Sequence, residues 1–326
     1  MKLGDTRVVV TGVSALIGQG IATSLQNIPD TKVIGVDKKF TQYAKAVSQH
    51  LIIKPDCDEC SEEYLSFWQK LIIEHDVKLI FPGISHDIHF FVKNVKIFKK
   101  LGCEVVLNNL ELIRLCEDKW RFYEELKLNN VVNIPSSISK NWNELKNTLG
   151  EPPFILKPRK GEGSQGIVLL HDRIDLEYWS KKNSDNYIVQ TIVGDAENEF
   201  TVGAFGLGGG KIIDDVIIMR RKLSRAGNTV LATVAYSEEI IEVVKKLISI
   251  FQPIGPTNFQ FRLDNNIPYL LEINPRFSSS TSIKASFGFN EASMSLDFYL
   301  YNKMPKCSVD KSGTIERIWQ DILWSR

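Results

Sequence analysis

The sequence predicts an α/β protein that opens on a parallel, doubly wound sheet and continues as an α+β assembly of mostly antiparallel strands. Three observations carry this. Over residues 1–110, short apolar runs alternate with amphipathic helical segments, the order that builds parallel sheets. Beyond that, strands follow one another with little more than turns between them. The 326 residues, 43% apolar and 24% charged, have the balance and length of a globular chain of two or three domains.

The elements follow in order. Arg7–Thr11 is a β-branched strand closed by Gly12, Ile17–Gln26 a helix, and Lys32–Val36 a second strand ending at Asp37. Glu62–Glu74 reads as a helix with Leu65, Phe67, Trp68, Leu71 and Ile72 as its apolar positions. Leu79–Phe81 is a strand stopped by Pro82-Gly83, Phe90–Leu101 a helix and Glu104–Leu107 a strand. Asn109–Leu128 reads as one helix, with Asn108 or Asn109 as N-cap.

Phe154–Lys157 and Ile167–Leu170 are strands flanking a glycine-rich loop, and Asp175–Lys181 is a helix. Tyr187–Gln190, Phe200–Phe205, Lys211–Met219 and Thr229–Ala235 read as antiparallel strands. Glu238–Phe251 is an amphipathic helix. Asn258–Leu263 and Tyr269–Ile273 are strands joined by the turn Asp264-Asn265-Asn266. Helices close the chain around Ser282–Phe287 and Glu291–Tyr301. The clearest boundary lies near residues 108–116.

Forty Lys and Arg oppose 39 Asp and Glu, a formal charge of +1. No long basic block asks for nucleic acid, although Arg220-Arg221-Lys222 could meet a phosphate locally. The five cysteines are too sparse for a disulfide framework. Cys57 and Cys60 form a lone C-x-x-C without a second pair at zinc spacing, and read as unpaired loop thiols. The N-terminus runs into a strand without a signal-peptide core, and no apolar stretch reaches the ~20 residues a bilayer span needs. These features predict a soluble, cytoplasmic protein with no membrane partner.

Gly12, Gly18 and Gly20 follow the first strand and open the first helix. Such glycines either bring helix N–H groups toward a dinucleotide phosphate, with Asp37 placed as a ribose acid, or simply permit tight strand–helix packing. The spacing is not G-x-G-x-x-G, and both readings stand at this point.

More specific chemistry lies in four later segments. The first is Glu117-Asp118-Lys119. The second, Phe154-Ile155-Leu156-Lys157 followed by Gly161, Gly163, Ser164 and Gly166, delivers a lysine from a strand into a loop whose N–H groups can fold over phosphates. It is not a Walker A loop, because no Gly-Lys-Ser/Thr opens a helix. The third is Ile188-Val189-Gln190-Thr191-Ile192-Val193-Gly194, followed by Glu199. In the fourth, Glu272 and Asn274 lie two apart on a strand and so share a face, with Gln260 on the neighbouring strand. Hard oxygen donors of this kind suit magnesium, and Arg276 can hold a phosphoryl group in transit.

In this order and spacing, the four segments resemble the ATP-grasp superfamily, and most of all carbamoyl-phosphate synthase large-chain modules and small carboxylate–amine ligases. The run Asn274-Pro275-Arg276-Phe277-Ser278-Ser279-Ser280-Thr281, continuing to Lys284-Ala285 and Gly288, is its most specific part. The resemblance implies a Rossmann-like pre-ATP-grasp domain over 1–108, then a two-part ATP-grasp fold: a first subdomain with a glycine-rich lid over 109–186 and a C-terminal subdomain with the metal site over 187–326. It implies ATP and Mg2+ (or Mn2+) as cofactors, Lys119 and Lys157 on ATP phosphates, and Gly161–Gly166 as the lid. It also implies Gln190 and Ile192 near adenine, Glu199 on the ribose, Gln260, Glu272 and Asn274 as metal ligands, and Arg276 with Lys157 as catalytic groups.

Gln190 departs from the family's usual Glu, and the Gly194–Glu199 segment is longer than the family pattern. Arg220, Arg221, Arg225, Ser278, Ser279 and Ser280 are candidates for substrate contact. The activity expected is formation of an acyl phosphate, then its capture by an amine, with small-molecule partners of amino-acid or peptide type and a possible homodimer. The alternatives are an NAD(P)-dependent oxidoreductase or epimerase using the glycine loop, and a non-catalytic ATP-binding protein. His86, Asp87 and His89 are read as substrate-facing or as plain loop polars.

Overall fold

A computed structural model of the protein describes residues 5–161, 166–184, 186–213, 215–225, 227–310 and 312–318. The chain begins β1 (Thr6–Thr11), α1 (Leu16–Leu25), β2 (Thr31–Asp37), α2 (Gln42–Val47), β3 (His50–Ile53), α3 (Glu62–His75), β4 (Leu79–Phe81), α4 (Ser85–Lys100) and β5 (Glu104–Val105). The five strands form an all-parallel sheet in the order β3-β2-β1-β4-β5. Both faces are covered, as parallel sheets require. Val8 and Val10 pack toward Ile21 and Leu25 of α1. Val9 packs toward Trp68, Phe91 and Phe98 of α3 and α4.

The helix expected over Asn109–Leu128 is two helices, α5 (Leu110–Cys116) and α6 (Lys119–Leu128). Asn109 caps α5, accepting from the Glu111 N–H. Asp118 breaks the run: its carboxylate accepts from the N–H groups of Trp120 and Arg121 and starts α6 as an N-cap. Next come β6 (Ser136–Ser137), α7 (Trp142–Leu149), β7 (Phe154–Pro158), β8 (Val168–Leu170), α8 (Arg173–Lys182) and β9 (Tyr187–Thr191), giving an antiparallel sheet in the order β6-β9-β7-β8.

A third sheet follows from β10 (Glu199–Gly208), β11 (Lys211–Ile212), β12 (Ile217–Leu223), β13 (Thr229–Val234), α9 (Glu238–Phe251), β14 (Ile254–Asp264) and β15 (Ile267–Asn274). Then come α10 (Thr281–Ser286), α11 (Glu291–Ser295), a π-helical turn over Leu296–Leu300, and β16 (Thr314–Glu316), which pairs with β13. The strand order is β15-β14-β10-β12-β13-β16, with β11 on β10. The single strand expected over Lys211–Met219 is therefore split between β11 and β12. In the β14–β15 turn, Asn265 and Asn266 have φ of 50° and 63°, the left-handed pair that a two-residue hairpin demands. Helix α9 buries Ile240, Val244, Leu247, Ile248 and Phe251 against Val202, Phe259 and Phe261.

The first and third sheets are tied together. Phe277, Ala292 and Leu296 join the core under β1 and α1. Asn108 donates to Pro256 O at 3.0 Å and to Thr257 Oγ1 at 2.8 Å, and Tyr299 Oη donates to Leu107 O at 2.8 Å. These contacts hold the ends of β1 and β4 beside the end of β15, and the cavity described next opens there.

Candidate active site

Strand alternation decides which side chains meet. On β7, Phe154 and Leu156 go into a core with Leu145, Tyr187 and Val189, so Ile155 and Lys157 face the other way, into the cavity. Gln190, across from Ile155 in the β7–β9 ladder, faces the same space. The opposite wall is β14–β15, where Gln260 pairs with Glu272 and Asn258 with Asn274. Because Phe261 pairs with Leu270, Leu271 is an extra residue, and this bulge lets both Leu271 and Glu272 line the cavity. The cavity has a volume of ≈ 650 Å³. An adjoining lobe of ≈ 300 Å³ shares Lys119, Lys157, Gly161, Gln190, Glu272, Asn274 and Arg276.

The basic side is built around Asp118. Arg159 donates Nε to Asp118 Oδ1 at 3.1 Å and Nη2 to Oδ2 at 2.6 Å. Burial opposes the Asp118 charge, but Arg159 and the N–H groups of Arg121 and Trp120 outweigh it and hold the carboxyl below its usual range. Lys119 N in turn donates to Arg159 O at 3.0 Å, and Lys119 Nζ to Gly161 O at 2.8 Å. The start of α6 is thereby fixed to the end of β7, which brings Lys119 beside Lys157. Desolvation pushes the Lys157 ammonium down to about 8, with Lys119 adding to the shift and Glu272 opposing it.

The oxygen-rich side holds Gln260, Glu272 and Asn274. Asn274 Nδ2 donates to Glu272 Oε1 at 2.8 Å, and Gln260 Oε1 accepts from Arg221 Nη2 at 2.6 Å. Arg276 follows and donates Nη1 to Phe277 O at 3.0 Å. The three side chains are hard oxygen donors with a single negative charge among them, which fits a magnesium ion that takes its remaining ligands from phosphates and water. Among the described residues no three His, Cys, Asp or Glu are grouped to hold a metal by themselves.

Other expected positions sit differently. Ile192 is 38% exposed and does not line the cavity; β9 ends at Thr191, so strand alternation no longer applies, and its neighbour Val193 lines the cavity instead. Arg220 points to solvent on the opposite face of β12 from the buried Arg221. Ser278 and Ser279 border the cavity, whereas Ser280 is buried beneath it and bonded to Ser278. Glu199 lines the cavity with both carboxylate oxygens already engaged, Oε1 by Arg221 at 2.8 Å and Oε2 by Arg262 at 2.8 Å. Gly163 and Ser164 lie outside the described residues; Gly161 and Gly166 flank that segment with φ of 112° and 72°.

Two of the three N-terminal glycines are required by packing: a Cβ on Gly12 would stand 2.6 Å from Ile84 Cγ2. A Cβ on Gly18 would stand 2.1 Å from Gly12 O. Asp37 receives the N–H groups of Ser14 at 2.9 Å and Lys38 at 2.7 Å, so its carboxylate pins the loop. His86 faces Glu59 and His89 faces Glu117, while Asp87 is buried against Lys54. Cys57 and Cys60 are free thiols. Cys116 borders the smaller lobe, and burial pushes its thiol far above its usual range, which keeps it protonated.

Reading the sequence did not single out Ile134, Ile155, Val193 and Leu271, part of the apolar lining of the cavity, or Arg159 and Arg262, which hold its acids. For Ile155 the signal is its place two residues before Lys157 on one strand.

A family model described as an ATP-grasp domain matches residues 116–280, about half of the chain and the whole run from Cys116 to Ser280 that carries this geometry. The chain belongs to the ATP-grasp family. The ATP-grasp segment thus contains both lysines, Gln190, the three oxygen donors and Arg276. Solved structures agree on the fold. An N5-carboxyaminoimidazole synthetase from Staphylococcus aureus complexed with ADP superposes with a TM-score of 0.71 at 18% identity, covering 97% of this chain and 83% of that one. The biotin carboxylase domain of Hydrogenobacter thermophilus 2-oxoglutarate carboxylase, in complex with MgADP, ADP and bicarbonate, gives 0.67 at 15%, covering 92% and 71%. An L-amino acid ligase from Bacillus licheniformis gives 0.66 at 16%, covering 90% and 73%. Among the described residues no helix is long and apolar enough to cross a membrane.

Proposed function

We propose that this ATP-grasp protein is an ATP-dependent ligase that activates a carboxylate as an acyl phosphate and passes the acyl group to an amine. One observation carries the reading: Lys119, Lys157 and Arg276 converge on the same cavity as the oxygens of Gln260, Glu272 and Asn274. Cations alone would suit any phosphate; cations facing a hard-oxygen cluster suit a metal–triphosphate.

The base lies at the apolar end, among Ile134, Ile155, Val193 and Leu271, with Gln190 at its edge. The phosphates run toward Lys157 and Lys119, whose charges hold them in line. The acceptor enters from the side walled by Ala15–Ile17, Gly83–Ser85, Ser278 and Ser279. There the first N–H groups of α1 and α4 favour an anionic group. An acceptor carboxylate oxygen attacks the γ-phosphorus, the bond to the β-phosphate oxygen breaks, and ADP leaves with the electron pair. Arg276 faces the charge that spreads over the moving phosphoryl group. An amine then attacks the acyl carbon, the bond to the phosphate oxygen breaks, and the amine loses a proton to solvent. Magnesium, when bound by Gln260, Glu272 and Asn274, would supply charge neutralisation between the phosphates. The L-amino acid ligase among the similar folds makes amino acids and peptides the first carboxylates to test.

The test is phosphate release from MgATP across a panel of carboxylates crossed with amines. Release that requires one member of each set supports the reading. Release indifferent to both would sink it.

A further inference from the structure

The wall of the cavity contains a chain of hydrogen bonds whose direction is fixed at one end. Ser136 Oγ donates its only proton to Ile134 O at 2.7 Å. Ile134 O is a carbonyl and can only accept. The Ser136 oxygen is therefore left as an acceptor, and the Gln190 atom standing 2.6 Å from it must be a donor, Nε2. Ser136 is 3% exposed, so water does not compete for the hydroxyl. The carboxamide of Gln190 thus cannot turn over without placing two acceptors face to face. Its Nε2 is held toward Ser136 on β6, which leaves Oε1 as the end of the amide available to the cavity that Gln190 lines.

We propose that Ser136 sets the base preference of the nucleotide site by locking Gln190 with its carbonyl oxygen toward the base. An acceptor at that edge matches the exocyclic amino group of a 6-aminopurine and opposes the oxygen of a 6-oxopurine. The glutamate usual at this position in ATP-grasp proteins presents oxygens in either rotamer. Glutamine gains the same polarity only through a partner that fixes its flip, and Ser136 is placed as that partner. Ser136 acts as a positioning residue, touching Gln190 rather than the nucleotide. The inference rests on the nucleotide reading of the cavity given above.

The experiment measures Kd for MgATP and MgITP, which differ at the 6-position, by titration calorimetry on the full chain and on Ser136→Ala and Gln190→Glu. The wild type is expected to favour MgATP by about tenfold, the ratio expected from one hydrogen bond set against one acceptor–acceptor clash. In Ser136→Ala the amide is free to turn, and the ratio falls to within about twofold of unity, mostly through tighter MgITP binding. A merely structural role for Ser136 would weaken both nucleotides in proportion and leave the ratio unchanged, which would overturn the proposal. Gln190→Glu presents only oxygens and keeps the preference without Ser136; in the double variant Ser136→Ala/Gln190→Glu, loss of the preference would also overturn it. A wild type that binds both nucleotides equally defeats the base-selection claim while leaving the ATP site intact. A wild type that binds neither defeats the nucleotide reading itself.

Discussion

Asn274 Nδ2 donates to Glu272 Oε1 at 2.8 Å, so the two side chains that β15 places on one face are also turned to a fixed relative orientation. The amide nitrogen is spent on the carboxylate, and the Asn274 carbonyl oxygen is directed away from it. Glu272 provides the only formal negative charge of the oxygen cluster. Glu272→Gln is expected to lower substrate-dependent ADP release by two to three orders of magnitude, on the order of the loss seen when a key charge-stabilising group is removed. Asn274→Ala removes the orienting bond and is expected to raise the Mg2+ needed for half-maximal rate by about tenfold. A magnesium titration of ADP release checks both, and chelation should abolish the rate in the wild type.

Lys157 titrates at about 8 before nucleotide binds. Its ammonium is the form that attracts phosphate, and it is lost as the pH rises through that value. The kcat/KM for ATP is therefore expected to fall above pH ~8. The corresponding limb in kcat should lie higher, because bound phosphates favour the charged form. A pair of pH–rate profiles tests this, and Lys157→Ala should lack the limb altogether.

Asp118 ties three pieces of the site together: it caps α6, binds Arg159, and so places Lys119. Asp118→Ala is expected to cost about 1–3 kcal/mol, from the lost cap and the unpaired guanidinium. Its folded carboxyl lies below the unfolded value, so its stabilisation is present at neutral pH and is lost only as the pH falls through the folded value. Urea unfolding at pH 7 and again in acid should show the variant's deficit shrinking at low pH.

Glu199 sits between two arginines, with side-chain exposures of 7% for Glu199 and 5% for Arg221. Glu199→Ala leaves both guanidiniums without their carboxylate and is expected to destabilise the chain by about 3–5 kcal/mol. Since Arg221 also holds Gln260, the variant should need more magnesium for half-maximal rate as well as losing stability. Chemical denaturation alongside a magnesium titration separates the two effects.

The glycine loop gives the sharpest contrast between cofactors. Gly18→Ala would drive a Cβ against the Gly12 carbonyl, and overpacking of this kind costs about 1–3 kcal/mol. Thermal shift should show stabilisation by MgATP and none by NAD.

Much of the fold and of the site is legible in the sequence because its signals are local. The β-branched runs give β1 and β2, the apolar Leu79–Phe81 stopped by Pro82-Gly83 gives β4, the two-residue spacing gives the shared face of Glu272 and Asn274, and Asn265-Asn266 gives the hairpin beside them. The break at Asp118 was hidden because apolar periodicity continues across it, while the N-cap and its Arg159 partner lie 41 residues apart. The inward turn of Val193 rather than Ile192 depends on where β9 ends, and adjacent apolar residues do not fix that. Glu199 looks like a free acid until β12 and β14 bring Arg221 and Arg262 to it across the sheet. The two-residue strand β6, and with it Ser136, is too short to carry a pattern.

The most direct measurement follows oxygen from substrate to phosphate. Once the panel identifies a carboxylate and amine that support turnover, the carboxylate is labelled with 18O and the released phosphate is analysed by mass spectrometry. An acyl phosphate formed between Arg276 and the Glu272–Asn274 pair transfers one labelled oxygen to each phosphate. Phosphate without label would mean that water, not the carboxylate, received the phosphoryl group, and would contradict the ligase assignment.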